Sequence, residues 1–352
     1  MRGCIQTRDS STASRSAAKR HLGGARGLAC PRMRKLFTVD GNVEDASHIE
    51  IQRCFKEAHE KGFWLDIEAP SEEDYHMLEN TFKFHPLTIE DIKNQDQRPK
   101  VDEYNDYNFA VIFQADWHGE DISFHEHHLF VGANYLITVR LDASPEMDDL
   151  QRRISQSPEL TKGLPAFLTY LVIDVLVDAT FPALEKLDDT VDSLEDEITA
   201  KASPDSLNRI YHMKHAVTDL RKFLGAQREV FQRLITHGIH LQQQDMTLYY
   251  RDVYDHIVRQ YETVDGLRDL LTSAMDVYLS TVSNRLNKTT TTLAVIASLF
   301  LPLSFLTGFY GMNFMYLTTI LEIPYWTFWA GVGTMLIATA IQLVLFRRRG
   351  WI

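Results

Sequence analysis

No Asp, Glu, Lys or Arg occurs between Thr289 and Leu321, and none occurs between Ile323 and Phe346. That absence excludes a wholly water-exposed carboxy-terminal region. As helices, Leu293 to Tyr310 and Trp326 to Phe346 rise about 1.5 Å per residue and approach the roughly 30 Å of a hydrocarbon core, the first with help from neighbouring threonines. Gly-Lys is missing from the chain, so the phosphate-binding loop of a nucleotide-driven pump is excluded. Cysteine is scarce: Cys4, Cys30 and Cys54 show no paired disulfide or metal-binding spacing and fit a reducing compartment. The amino terminus has no apolar core segment, so no signal peptide is expected. No catalytic triad or metallohydrolase cluster is visible, and no enzyme activity is expected. From Met246 onward proline is absent until Pro302, leaving nothing to interrupt a long helix there.

Charge is distributed unevenly. The formal net charge is -12, yet residues 1–35 hold nine Lys/Arg against one Asp, which leaves the remainder near -20. An acidic body suits cations and argues against nucleic acid, whose phosphates require the opposite sign. Residues 1–32 are Ser-, Ala-, Gly- and Arg-rich and cannot bury enough apolar surface to fold. We expect a disordered basic leader there. Met33, where patterned sequence begins, is the expected natural start, which would leave 1–32 untranslated.

The remaining segments divide by pattern. Residues 33–160 read as a cytosolic α/β domain, with strand-like runs at Phe63–Ile67, Tyr107–Trp117, Asp121–Phe130 and Tyr135–Val139. Ser71, followed by Glu72, Glu73 and Asp74, opens a helix as its N-cap with an acidic first turn. Residues 161–288 read as a helical stalk. Ser203-Pro204-Asp205 starts one helix with proline at its first position, and sequence from about Met246 runs as a single helix of some sixty residues into the first span. Residues 289–310 form the expected first transmembrane helix, 311–325 an outer loop, 326–346 the second transmembrane helix and 347–352 a basic tail. Arg285 and Lys288 before the first span and Arg347, Arg348 and Arg349 after the second place both termini in the cytoplasm. The expected fold is thus an α+β multi-pass membrane protein.

Along the first span Asn287, Thr290, Thr291, Ala294, Ala297, Ser298 and Gly308 fall near one helical face, small and polar. In lipid such a stripe meets a partner or water, so several copies of this helix are expected to enclose an aqueous path. Leu301 lies on that face and Leu293 beside it, placed for apolar constrictions that close by dewetting. Pro302 frees a carbonyl that the pore or Ser298 is expected to satisfy, and a kink there could turn Ser304 toward the path. At the outer mouth Gly311 permits unusual backbone and Asn313 offers a neutral amide oxygen, which can hold a hydrated Mg²⁺ through its waters without trapping it. His125 and His127 share a strand face, but the tract meets no metal-ligand spacing, and we expect an exposed polar strand face.

Tyr310-Gly311-Met312-Asn313-Phe314, after Leu301-Pro302-Leu303-Ser304-Phe305, strongly resembles the CorA family of magnesium channels. The likeness extends through His85–Ile92, Gln97–Val101, Tyr250–His256 and Tyr278–Arg285, and so covers about Met33 to Ile352. The resemblance implies a homopentamer in the cell (inner) membrane with a funnel-shaped cytosolic α/β/α domain, long stalk helices and a pore made by the first span. It further implies Gly311, Met312 and Asn313 as the selectivity loop, Asn287 as a polar ring, and Leu293 and Leu301 as the gate. It implies Mg²⁺ both as cargo and as regulator, bridging Asp91 of one subunit to Asp252 of the next, with Glu90 and Asp174 contributing. One departure stands out: after Phe314 the chain reads Met315-Tyr316-Leu317 where magnesium-transporting members carry acid, and only Glu322 remains in the loop. Co²⁺ and Ni²⁺ therefore join Mg²⁺ as expected cargo, and a proton-coupled zinc transporter is the rival within the family. Outside it the rival is a membrane-anchored coiled-coil interaction protein, which would have no need of Asn287, Gly311 or Asn313.

Overall fold

The computed structural model describes residues 33–38, 41–58, 62–95, 97–119, 121–157, 164–237, 246–312 and 326–350. In chain order the elements are β1 (Met33–Thr38), β2 (Gly41–Glu44), α1 (His48–Glu57), β3 (Phe63–Glu68), α2 (Glu72–Asn80), α3 (Pro86–Asn94), β4 (Lys100–Glu103), β5 (Tyr107–His118), β6 (Asp121–Gly132), β7 (Tyr135–Arg140), α4 (Pro145–Gln156), α5 (Leu164–Asp178), α6 (Phe181–Lys201), α7 (Pro204–His237), α8 (Thr247–Tyr310) and α9 (Trp326–Arg348). They fall into two compact units, one of residues up to Glu197 with Ser203–Ala274, the other of Ile198–Ala202 with Met275–Ile352.

The first unit is a three-layer α/β/α sandwich. Its sheet runs β2-β1-β3-β7-β6-β5-β4, with β3 and β7 parallel and the other neighbours antiparallel. Period-two alternation sends Leu65, Ile67, Phe109, Val111, Ile137 and Val139 to one face, where Ile51 of α1, Leu78 of α2 and Ile89 and Ile92 of α3 cover them. Trp64, Ile112, Leu129 and Leu136 point to the other face, against Leu150 of α4, Val172 and Leu176 of α5, Phe231 of α7 and Val253 and Ile257 of α8. Both layers are apolar, and each fully buried Leu, Ile or Phe contributes about 2 kcal/mol by leaving water.

Several local expectations hold. Ser71 caps α2 in a capping box, its N–H donating to Asp74 Oδ2 at 2.7 Å. Pro204 opens α7 behind Ser203, whose Oγ accepts from Ser206 N–H. α8 is one helix of 64 residues, about 96 Å long. The strand β5 extends past β4, and its edge N–H groups at Phe113 and Ala115 are closed by Gln227 Oε1 of α7 and Thr180 Oγ1 rather than left open to a second chain.

One polar system crosses the apolar layer. Arg140, 1 % exposed, reaches Asp66 at 3.2 Å, Glu68 at 2.6 Å and Asp148 of α4 at 3.2 Å. Thr138 and Gln151 donate to Asp66 as well, at 2.6 Å and 2.7 Å. These buried carboxylates owe their place to that guanidinium, since an unpaired charge at the same depth would be strongly unfavourable.

Three helices are long and apolar enough to cross a membrane by length and composition. Pro165–Lys201 is accounted for otherwise, because more than half of its most apolar window is buried in the sandwich. The membrane candidates are therefore the end of α8 and α9, whose most apolar windows are unburied.

Candidate functional site

In the second unit the uncharged end of α8 and helix α9 meet along one side. On α8 the inward positions are Val295, Ser298, Leu299, Leu303 and Leu306. Gln342 of α9 marks that side, its Nε2 donating to the Ser298 carbonyl oxygen at 2.5 Å. Asn287, Thr290, Leu293, Ala294, Leu301, Ser304 and Gly308 are exposed in the single chain. Ser298 departs from this stripe: it is half-buried on the α9 side, and its hydroxyl donates back to Val295 O at 3.0 Å. The carbonyl that Pro302 frees thus accepts an amide from the other helix, not the Ser298 hydroxyl.

α8 ends in a tight turn. Gly311 N–H donates to Thr307 O at 2.9 Å and Met312 N–H to Phe309 O at 3.3 Å. A β-carbon on Gly311 would lie 3.1 Å from Thr307 O, so close approach, rather than a left-handed backbone, is what glycine provides here. Asn313 lies outside the described residues, as do Tyr316 and Glu322.

The acids of the first unit form two sets. Asp91 on α3 accepts from Lys100 Nζ at 2.7 Å, and the same ammonium holds Asp102 at 2.9 Å. Burial pulls the Lys100 pKa down, but the bonds to Asp91 and Asp102 outweigh it and leave it raised. Glu90 is exposed beside it and, among the described residues, accepts one long hydrogen bond from Asn94 Nδ2 at 3.4 Å.

Asp174 belongs to the second set. It lies on α5 with Asp178, and His256 of α8 completes a group whose ligand atoms all fall within 4.8 Å of one another. His256 Nδ1 is 2.7 Å from Asp178 Oδ1, whereas Asp174 Oδ1 is buried without a hydrogen-bond partner among the described residues. Burial, followed by the charge of Asp178, lifts the Asp174 pKa to about 6, and Asp252 adds to it. Tyr170 is lifted to about 12 by burial and then by Asp174 and Asp252. Asp174 and Asp178 open on a cleft of about 620 Å³, walled on the other side by Glu146, Asp149, Arg152 and Arg153 of α4. Two carboxylates and an imidazole at this spacing suit a divalent cation. The fold therefore gathers Asp174 with Asp252 around two residues that sequence reasoning missed, Asp178 and His256. The i, i+4 spacings Asp174/Asp178 and Asp252/His256 were the available signal, since each puts two titratable groups on one helical face.

The His125 to His128 tract departs from the expected exposed strand face. β6 is interior to the sheet with helices on both sides, so His127 and His128 are buried, at 3 % and 0 % exposure. Burial and then Arg140 push His127 down to about 3, and burial pushes His128 down to about 4. His125 sits between Asp116 (3.2 Å) and Asp142 (3.0 Å), whose hydrogen bonds raise it to about 9. With both ring nitrogens so engaged, His125 is an ion-pair partner rather than a metal ligand.

Comparison with known proteins adds a further set of findings. The family model described as CorA-like Mg2+ transporter protein matches residues 59–348. The chain is 34% identical over 275 residues to a cobalt/magnesium transport protein, CorA, of Thermotoga maritima, covering 77% of this chain and 78% of that one. It is 30% identical over 291 residues to a putative metal ion transporter, YfjQ, of Bacillus subtilis, covering 82% and 89%. The complete structure of the CorA magnesium transporter from Methanocaldococcus jannaschii superposes with a TM-score of 0.78 at 20% identity, covering 92% of this chain and all of that one, a likeness of fold.

Proposed function

The chain belongs to the CorA-like Mg²⁺ transporter family, and from that premise we propose that it is a membrane-potential-driven divalent cation channel, homopentameric, with both termini in the cytoplasm. The observation that carries the reading is α8 itself: one helix bears Asp252, Asn287 and a charge-free segment that leads to Gly311-Met312. Charge bound near Asp252 is thereby linked through continuous backbone to the segment that crosses the membrane.

Each part has a physical task. Gly311, Met312 and Asn313 form the outer mouth, where amide and carbonyl oxygens hold the hydrated ion through its waters and release it readily. Leu293 and Leu301 close the path by dewetting, while Asn287, Thr290 and Ser304 keep it wet when open. Ser298, at the α9 border, supports that wall. The membrane potential supplies the drive: two charges crossing 100 mV gain roughly 4.6 kcal/mol. Intracellular Mg²⁺ regulates by bridging Asp91 and Glu90 of one subunit to Asp252 of the next, with Asp174 in the adjoining acid group. Carboxylates that face each other repel until a divalent ion neutralises them, so loss of the ion loosens the ring and opens the gate.

Flux into liposomes carrying the purified protein tests this, measured for Mg²⁺, Co²⁺, Ni²⁺ and Zn²⁺ side by side with and without a proton gradient. Mg²⁺ uptake independent of the gradient is expected, and Asn313→Ala should abolish it. Undiminished Mg²⁺ flux in that variant would defeat the assignment, and flux of Zn²⁺ alone, driven by protons, would replace it with the zinc-transporting reading.

A further inference from the structure

Pro302 has no N–H, so within α8 the carbonyl four residues earlier, that of Ser298, loses its intrahelical donor. A bare carbonyl in hydrocarbon is strongly unfavourable, and so is an unpartnered side-chain amide. Gln342 is the sole Asn or Gln in Trp326–Arg348, and it stands in a run without charge. Its Nε2 donates to Ser298 O at 2.5 Å. The nearby hydroxyls are engaged in their own helices: Ser298 Oγ donates to Val295 O, Thr334 to Gly331 O and Thr339 to Met335 O. Each misfit, the proline and the glutamine, is explained by the other.

We propose that Gln342 is a positioning residue of the pore, an intramembrane clamp that holds α8 at its proline and so fixes the direction of Leu303–Tyr310 as it leads to Gly311. The role follows from location. Pro302 removes the restraint that would keep α8 straight, and the bond from α9 replaces it with a restraint anchored on a second helix, so bending at the proline is limited to one direction rather than several. Its part in transport rests on the reading of α8 as the pore wall, whereas the clamp itself does not.

A double-mutant cycle on the full-length protein separates the two. Gln342→Leu alone should lower the unfolding midpoint in detergent by about 1–3 °C and slow Mg²⁺ flux roughly three- to tenfold, the range of interhelical side-chain bonds in membranes. Pro302→Ala returns an N–H to Ser298 O, so on that background Gln342→Leu should cost nothing in the midpoint. Additive effects of the two changes, or no effect of Gln342→Leu in the parent, would overturn the clamp. The Co²⁺ to Mg²⁺ flux ratio reads positioning specifically, because a smaller folded fraction scales both fluxes alike. A coupled midpoint with an unchanged ratio would overturn the positioning role. Coupled midpoints in a protein that transports nothing would keep the clamp and remove the pore reading instead.

Discussion

Lys100 is the point at which the proposed gating acid Asp91 is already neutralised. Its ammonium lies 2.7 Å from Asp91 and 2.9 Å from Asp102, so both carboxylates share one cation within the subunit. Mg²⁺ recruited to Asp91 competes with that ammonium. Replacing it, as Lys100→Gln, leaves two neighbouring acids that repel each other and that a divalent ion relieves. The magnitude is modest because the group is partly solvated: Lys100 is 31% and Asp91 20% exposed at the side chain, and such pairs contribute at most about 1 kcal/mol. By the conversion of 1.4 kcal/mol to tenfold, the Mg²⁺ concentration that half-closes the channel should fall about two- to fivefold. The assay is flux into proteoliposomes at stepped internal Mg²⁺. Lys93→Gln is the control, since Lys93 lies on the same helix but pairs with Glu72, 76% exposed. A half-closing concentration that rises in Lys100→Gln, or that shifts equally in Lys93→Gln, would refute the argument that Asp91 is held back by its own subunit.

Two further outcomes follow from the first unit. Arg140→Met should destabilise the protein by about 3–5 kcal/mol, because Asp66 and Glu68 would remain buried without their cation, and thermal unfolding in detergent measures it; an unchanged midpoint would show those acids to be solvated. Asp174, lifted to about 6, should bind inhibitory cations more weakly at pH 5.5 than at pH 7.5, since the proton competes for the carboxylate, and Asp174→Asn should flatten that dependence. Its linkage to stability has a definite sign. The folded carboxyl holds its proton more tightly than the unfolded one, so the contribution is full below about 3.8 and is lost as pH rises through about 6; metal-free unfolding scans across that window check it.

Much of the architecture was legible because it depends on local pattern. Charge-free runs, the proline-free stretch behind α8, and the caps at Ser71 and Ser203 are properties of neighbouring residues, and the structure returns each of them. Three short helices escaped although the same signals were present, among them α3, which His85 and Pro86 open. Ser144-Pro145 opens α4 as Ser203-Pro204 opens α7, and Ser47 with Glu50 forms a capping box for α1. All three are short, and α1 and α4 are mostly polar, so periodicity alone conveyed little. What could not be read was pairing across distance. Whether β6 is central or at an edge decides whether His127 is buried, and that depends on β5 and β7. Asp178 and His256 are 78 residues apart in sequence, and Gln342 and Ser298 are 44 apart. Only the packed structure brings such partners together.

The acids of the first unit differ in the countercharge that the fold gives them. Asp66 and Glu68 are nearly inaccessible, yet each has Arg140 within 3.2 Å, and Asp74, 2% exposed, has Arg34 at 2.5 Å and its own helix cap. Hydrogen bonds from Ser71 and Arg34 overcome the burial of Asp74 and hold its pKa below the ordinary carboxylate range. Asp174 receives the opposite treatment: it is half-buried beside Asp178, forms no ion pair with Lys or Arg among the described residues, keeps one oxygen without a partner, and has its pKa raised. Arg153 lines the same cleft and acts on Asp174 only through space, so this carboxylate differs from Asp66, Glu68 and Asp74 in lacking a cation in contact. Two carboxylates and an imidazole within 4.8 Å set the requirement: a small ion of double charge satisfies them together, whereas a lysine-like single charge would leave one acid uncompensated.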